Sequence, residues 1–269
     1  YAIMNAAGVV RMAAAEVRPG HPARQKLGAP PPEVVRDGYI SVLGFGSLLS
    51  ERSCRYTAPN LRNFRLARVQ GWRRVFAHCA PIFFERGIAR LETREMASLS
   101  AEPSAQHSFL ATLFDIPETE FAALEQREAE FELLPVLPSD LQGEPMEAAS
   151  ILCARSSDEE YRRRHCQVFA ADCQLPSEKV PTSPACPCVA CTLASYGVDR
   201  IWRREDDVLP CRTYLRHCVL AAQGLGDVVY NDFLDNTFLS DRKTTVRTHL
   251  ARDPTIMEEL PPEALKERY

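Results

Sequence analysis

Three groups of residues in this chain have types and spacing suited to chemistry. The first is Gly44-Phe45-Gly46-Ser47-Leu48-Leu49-Ser50. Glycines on both sides of one residue let the backbone turn sharply and come close to a ligand. Successive N–H groups in such a turn can converge on a carboxylate or an oxyanion, and a helix opening after Ser47 would add a favourable field for an anion. An ordinary strand-to-helix turn uses the same residues, so the run by itself leaves both uses open. The second group is the acid-rich stretch Pro117–Phe131. With Phe121 as origin and about 100° per helical residue, Leu124 falls near −60°, Phe131 near −80° and Glu128 near −20°. Glu128 therefore lies inside the apolar stripe. A carboxylate there is either paired within the core or placed for proton chemistry, with desolvation raising its pKa toward neutrality. Glu125 falls at the stripe's edge, and Glu118, Glu120 and Glu130 are expected to reach solvent. The third group is Cys186-Pro187-Cys188-Val189-Ala190-Cys191, with His165, Cys166 and Cys173 upstream. Cys186, Cys188 and Cys191 could hold zinc or pair by oxidation, but the spacing fits no familiar finger, and a loop with incidental cysteines remains the alternative.

Elements that could position these groups are legible in part. Tyr39–Phe45 is a β-branched and aromatic run ending at glycine, hence a buried strand. Further strands are expected at Leu66–Gln70, Arg74–Ala77, Ile82–Phe84 and Phe109–Asp115. A helix should follow Pro117, because proline suits a first helical turn. Residues 136–195 read as the least regular part. Helical periodicity returns over 212–250, with a last helix from about Asp241, capped by Ser240 or Asp241, to Leu250. His78 and His217, set among apolar residues, read as satisfied packing histidines. Cys54, Cys79, Cys153, Cys211 and Cys218 read as buried, reduced small hydrophobes.

The glycine turn and the glutamate occur in this order about eighty residues apart. Gly44-Phe45-Gly46-Ser47-Leu48 resembles the Tyr-Gly-Ser-Leu or Tyr-Gly-Ser-Asn signature of the γ-glutamylcyclotransferase-like superfamily. Leu124-Glu125-Gln126-Arg127-Glu128-Ala129 is similar to that superfamily's later segment with its catalytic glutamate. The likeness runs roughly from Tyr39 to Val136. The remainder, including Cys211–Cys218 and Asp241–Thr245, resembles an extension in long plant and algal relatives of unknown activity. The resemblance implies an α+β fold: a small mixed β-barrel with packed helices, plus a helical C-terminal extension. It implies release of 5-oxoproline from a γ-glutamyl small molecule, with Glu128 as acid/base and Gly44, Phe45, Gly46, Ser47 and Leu48 binding substrate. It implies no cofactor and no metal. Phe45 stands where the superfamily carries tyrosine, so the hydroxyl of that ring is lost. The alternative is a catalytically inactive module on the same fold that binds a small molecule or a protein.

The expected organisation is a disordered or targeting leader over 1–36, a core over 37–195 with an irregular Cys/Pro-rich insertion at about 137–195, and a helical extension over 196–269. Residues 1–32 hold eight alanines, four basic residues and one acid, which suits either a disordered tail or an organellar (plastid) transit peptide. The 269 residues carry 32 Lys plus Arg against 36 Asp plus Glu, a formal net charge of −4. That balance argues against nucleic-acid binding through bulk charge, and Arg162–Arg164 is too short a basic run to change it. No apolar run approaches the ~18 residues of a spanning helix. The ten cysteines are too irregularly spaced for a small disulfide framework. An intracellular protein, cytoplasmic or organellar, with no nucleic-acid or membrane partner is therefore expected.

Overall fold

The computed structural model describes residues 29–165, 189–203 and 208–266. Within them an eight-stranded mixed sheet is wrapped by short helices, the α+β class anticipated above. A 3-10 turn at Pro32–Val34 leads into β1 (Val35–Arg36), which pairs with the start of β2 (Tyr39–Gly44). Another 3-10 turn, Ser47–Leu49, and α1 (Glu51–Arg55) follow. The Ser50 side chain caps α1 by accepting from the Ser53 N–H.

The frame is one long antiparallel pair, β3 (Arg62–Cys79) and β4 (Glu95–Pro117). The separate strands expected at 66–70 and 74–77 are two halves of β3. They are joined across a register break at Gly71, whose φ of 77° favours glycine. Opposite that break, β4 bulges over residues 104–107, so the pair can bend. β2 lies antiparallel on the last part of β4. β6 (Ser150–Ala154) runs parallel to β2 and meets β4 again at Ala101, closing a circuit of pairings; β5 (Glu132–Val136) adds to its other side.

β6 lies within the stretch expected to be irregular. It is buried along all five residues, so it shows no polar alternation to mark it. The expected strand Ile82–Phe84 is instead part of helix α2 (Pro81–Glu85). Pro81 opens its first turn, where the missing N–H costs nothing, and Phe83 and Phe84 turn inward.

The helix after Pro117 forms as a 3-10 turn followed by α3 (Phe121–Arg127). Two helices flank the segment that is not described, α4 (Asp158–His165) and α5 (Val189–Ser195). Short β7 (Leu209–Pro210) pairs with the start of β4. In α6 (Arg212–Gly224), Leu215, Cys218, Val219 and Ala222 form one buried stripe at helical spacing. α7 (Asp227–Asp235) buries Val229, Phe233 and Leu234, and β8 (Thr237–Phe238) pairs with β3.

The last helix, α8 (Val246–Arg252), starts later than expected, with Thr245 as its cap. Asp241 closes a separate turn, its carboxylate accepting from the N–H groups of Lys243 and Thr244. Arg74 on β3 ties this C-terminal part to the sheet. Its buried guanidinium donates to the Asp232 carboxylate at 2.8 Å and to the carbonyls of Leu110 and Asp232. It lies between the rings of Phe109 and Phe233, at 5.0 and 4.8 Å. Among the described residues, no helix is long and apolar enough to cross a membrane.

Candidate active site

The end of β2 runs into the glycine turn, and two close approaches explain the glycines. A Cβ on Gly44 would come within 2.6 Å of both the Leu48 Cβ and the Thr112 Oγ1. A Cβ on Gly46 would lie 2.6 Å from the Tyr214 hydroxyl of α6. The turn is tied down from behind, because the Thr112 hydroxyl donates to the Leu48 carbonyl at 2.7 Å. At the opening of a 3-10 turn, the first N–H groups have no partner within the turn itself; here they belong to Ser47 and Leu48.

These residues border a cavity of about 500 Å³. Phe45, Gly46, Ser47, Leu48 and Glu128 all line it. Gly44 is buried behind the wall. Phe45 is part of the wall, edge-on to Phe109 at 5.8 Å, and does not fill the space.

Glu128 does not sit in a continuing helix, as its place in the apolar stripe assumed. α3 ends at Arg127, Glu128 is its C-cap, and the Phe131 N–H bonds back to the Glu128 carbonyl at 2.8 Å. The side chain is held by Arg127, whose Nε donates to Oε1 at 2.9 Å.

Ending the helix here has a second effect. On a helix, residues two apart point to nearly opposite sides. In this turn, Glu128 and Glu130 line the same cavity. Glu130, expected to reach solvent, is 15% exposed in its side chain. Burial, reinforced by the nearby Glu128 charge, pushes its carboxyl up to about 7.

Opposite Glu130 is His78 of β3, with Nε2 4.0 Å from the Glu130 Oε2. The imidazole packs against Phe131 and Trp202, tilted to each ring, with both centroids at 4.6 Å. Burial, with Arg155 nearby, lowers its pKa to about 3, so the ring is neutral at ordinary pH. Among the described residues, neither ring nitrogen has a hydrogen-bond partner. His78 is therefore buried, as expected, but not satisfied.

The C-terminal part completes the wall. Tyr214 and His217 of α6 both line the cavity, and His217 Nε2 lies 3.2 Å from the Ser53 hydroxyl of α1. Arg86 also lines it, with its Nη1 buried and without a hydrogen-bond partner among the described residues. The sequence held no signal for Tyr214, His217 or Arg86 as site residues, because none belongs to a local motif.

Of the cysteine group, Cys186 and Cys188 lie outside the described residues, as does the Cys191 side chain. Cys54, Cys79, Cys153, Cys211 and Cys218 are free and buried, as anticipated. Among the described residues, no cluster of three metal-ligating side chains comes together.

No protein-family model matches the chain, and no curated protein matches it. Among solved structures, it is similar to an uncharacterized protein from Homo sapiens, with 15% identity over 44% of this chain and 69% of that one, at a TM-score of 0.36. It is similar to a structure described as gamma-glutamyl cyclotransferase, with 13% identity over 44% and 68%, at a TM-score of 0.35. A protein from Arabidopsis thaliana shows 17% identity over 50% and 87%, at a TM-score of 0.33. These are partial likenesses of fold.

Proposed function

We propose that this chain is a γ-glutamylcyclotransferase-type enzyme that releases 5-oxoproline from a γ-glutamyl compound. The observation supporting this reading is that the Gly46–Leu48 turn and Glu128, far apart in sequence, line one cavity. Substrate binds with its reacting carbonyl toward the N–H groups of Gly46, Ser47 and Leu48. Glu128 takes a proton from the α-ammonium. The freed amine attacks its own γ-carbonyl, and the turn stabilises the oxyanion that develops. The carbon–nitrogen bond to the other half then breaks, leaving the five-membered lactam and an amine. The nucleophile and the carbonyl belong to one molecule, so positioning supplies much of the rate. The reaction calls for no redox or metal step.

The test is to incubate the full chain with a panel of γ-glutamyl amino acids, peptides and amines and to quantify 5-oxoproline. Glu128→Gln keeps the shape and removes the proton carrier. It should lower kcat by about 10²–10⁴ while thermal melting is preserved. Normal turnover by Glu128→Gln would overturn this reading, as would a well-folded wild type that makes no 5-oxoproline from any of the panel.

A further inference from the structure

The proposed reaction has a proton inventory that one carboxylate meets only by shuttling. The substrate's α-nitrogen begins as an ammonium and ends as a lactam N–H, so it loses two protons. The departing nitrogen begins as an amide N–H and ends as an ammonium, so it gains two. The cavity holds a second carboxyl group that the signature does not include.

Glu130 lines the cavity beside Glu128. Its carboxylate accepts a hydrogen bond from its own backbone N–H. Buried structural carboxylates in this fold look different. Glu102 is ringed by Arg73, Arg155 and Arg242 at 2.6, 3.5 and 3.2 Å. Among the described residues no such cation pairs with Glu130, which faces instead the neutral His78, whose two ring nitrogens are also unanswered within those residues. The other titratable or charged groups on the cavity wall include Glu128 and Arg127 on the adjoining turn, Cys153 on β6, His217 on α6, and Glu85 and Arg86 on the far side. Arg155, past the end of β6, acts on His78.

We propose that Glu130 is a second proton carrier, the carboxylic acid that protonates the departing amine of a γ-glutamyl amide. This rests on the reading of the site given above. Glu128, held by Arg127, takes the first proton from the ammonium. As the carbon–nitrogen bond breaks, the Glu130 proton passes to the leaving nitrogen. The attacking nitrogen loses its second proton as the lactam forms, and that proton restores Glu130. Glu128 then hands its proton to the free amine, and both carboxyl groups return to their starting states. With its carboxyl titrating at about 7, Glu130 can hold the acid proton near neutral pH, where an ordinary surface glutamate is ionised.

The experiment compares two substrates over pH 5–9: a γ-glutamyl amino acid, whose leaving amine must be protonated, and γ-glutamyl-p-nitroanilide, whose leaving group needs little help. Wild-type kcat on the first should fall as pH rises through about 7. Glu130→Gln should lose that inflection and about 10²-fold in kcat on the amino-acid substrate, with a much smaller loss on the anilide. Glu130→Asp, which keeps an acid, should restore an inflection. His78→Gln should retain one, since the imidazole is already neutral there. An unchanged inflection in Glu130→Gln would overturn the proposal. So would an equal loss on both substrates, or an inflection that disappears with His78. In each of those cases the wild type still makes 5-oxoproline, and the reading of the site stands. A wild type that makes none overturns both.

Discussion

Strand β3 carries two buried polar side chains four residues apart, and the protein treats them in opposite ways. Arg74 is answered by the fold at both terminal nitrogens: a carboxylate, two carbonyls and two aromatic rings surround the guanidinium, and its buried Nε alone has no partner among the described residues. His78 is equally buried, yet neither of its nitrogens is bonded among the described residues, and the Glu130 carboxylate stands 4.0 Å away. The first arrangement joins the sheet to the C-terminal helices. The second opens onto a cavity. A buried polar group left unanswered costs stability.

The largest effect on stability is expected at the answered site. Arg74→Met leaves the Asp232 carboxylate, 8% exposed in its side chain, without its cation. It should cost about 3–5 kcal/mol in urea unfolding. Adding Asp232→Leu should recover part of that loss, and the double-mutant cycle then gives the coupling. Additive losses would break the comparison, because the pair would not be acting as a unit.

The next effect is a pH dependence at the unanswered site. Glu130 has its folded pKa raised from 4.5 to about 7. Its contribution to stability is fully present below pH 4.5 and is lost as pH rises through 7. His78 has its folded pKa lowered from 6.5 to about 3. Its contribution is fully present above pH 6.5 and is lost as pH falls toward 3. Between pH 6.5 and 4.5 the two slopes oppose each other. Glu130→Gln removes one of them, so the variant should lose about 1 kcal/mol per pH unit on acidification relative to wild type. Parallel melting-temperature profiles for the two proteins would show that Glu130 does not titrate in this range.

The smallest effect has the opposite sign. His78→Phe keeps a flat ring between Phe131 and Trp202 and removes two unbonded nitrogens. It should raise stability by about 1 kcal/mol at pH 7, measured by the same unfolding assay. A loss of several kcal/mol would mean that the imidazole is bonded in solution and that the two sites are alike.

How much of this was legible beforehand differs by residue. The glycine turn was readable as a turn because a β-branched and aromatic run ends at Gly44-Phe45-Gly46, while those residues alone left its use open. The buried stripe of α6 was readable because Leu215, Cys218, Val219 and Ala222 repeat at helical spacing. Glu128 was singled out by extending a helical phase one residue beyond the helix, so its place on the cavity wall comes from a turn and not from the stripe. The same false extension sent Glu130 toward solvent. β6 was missed because a strand covered on both faces has no alternation to read. Ile82–Phe84 was misread because three apolar residues in a row fit either element, and Pro81 decided for helix.

Sequence alone determined what depends on neighbours along the chain: the sharp turn at Gly44–Leu48, the start of the helical segment after Pro117, and the periodic faces of the C-terminal helices. Tertiary structure decided what depends on residues meeting across the fold. Arg74 finds Asp232 across 158 positions, His217 reaches Ser53 across 164, and Tyr214 fits against a glycine on another element. Burial of a carboxyl group, and the pKa that follows from it, belongs to this second kind. Glu130 is buried opposite His78 of β3, and no pattern of letters near position 130 encodes that meeting.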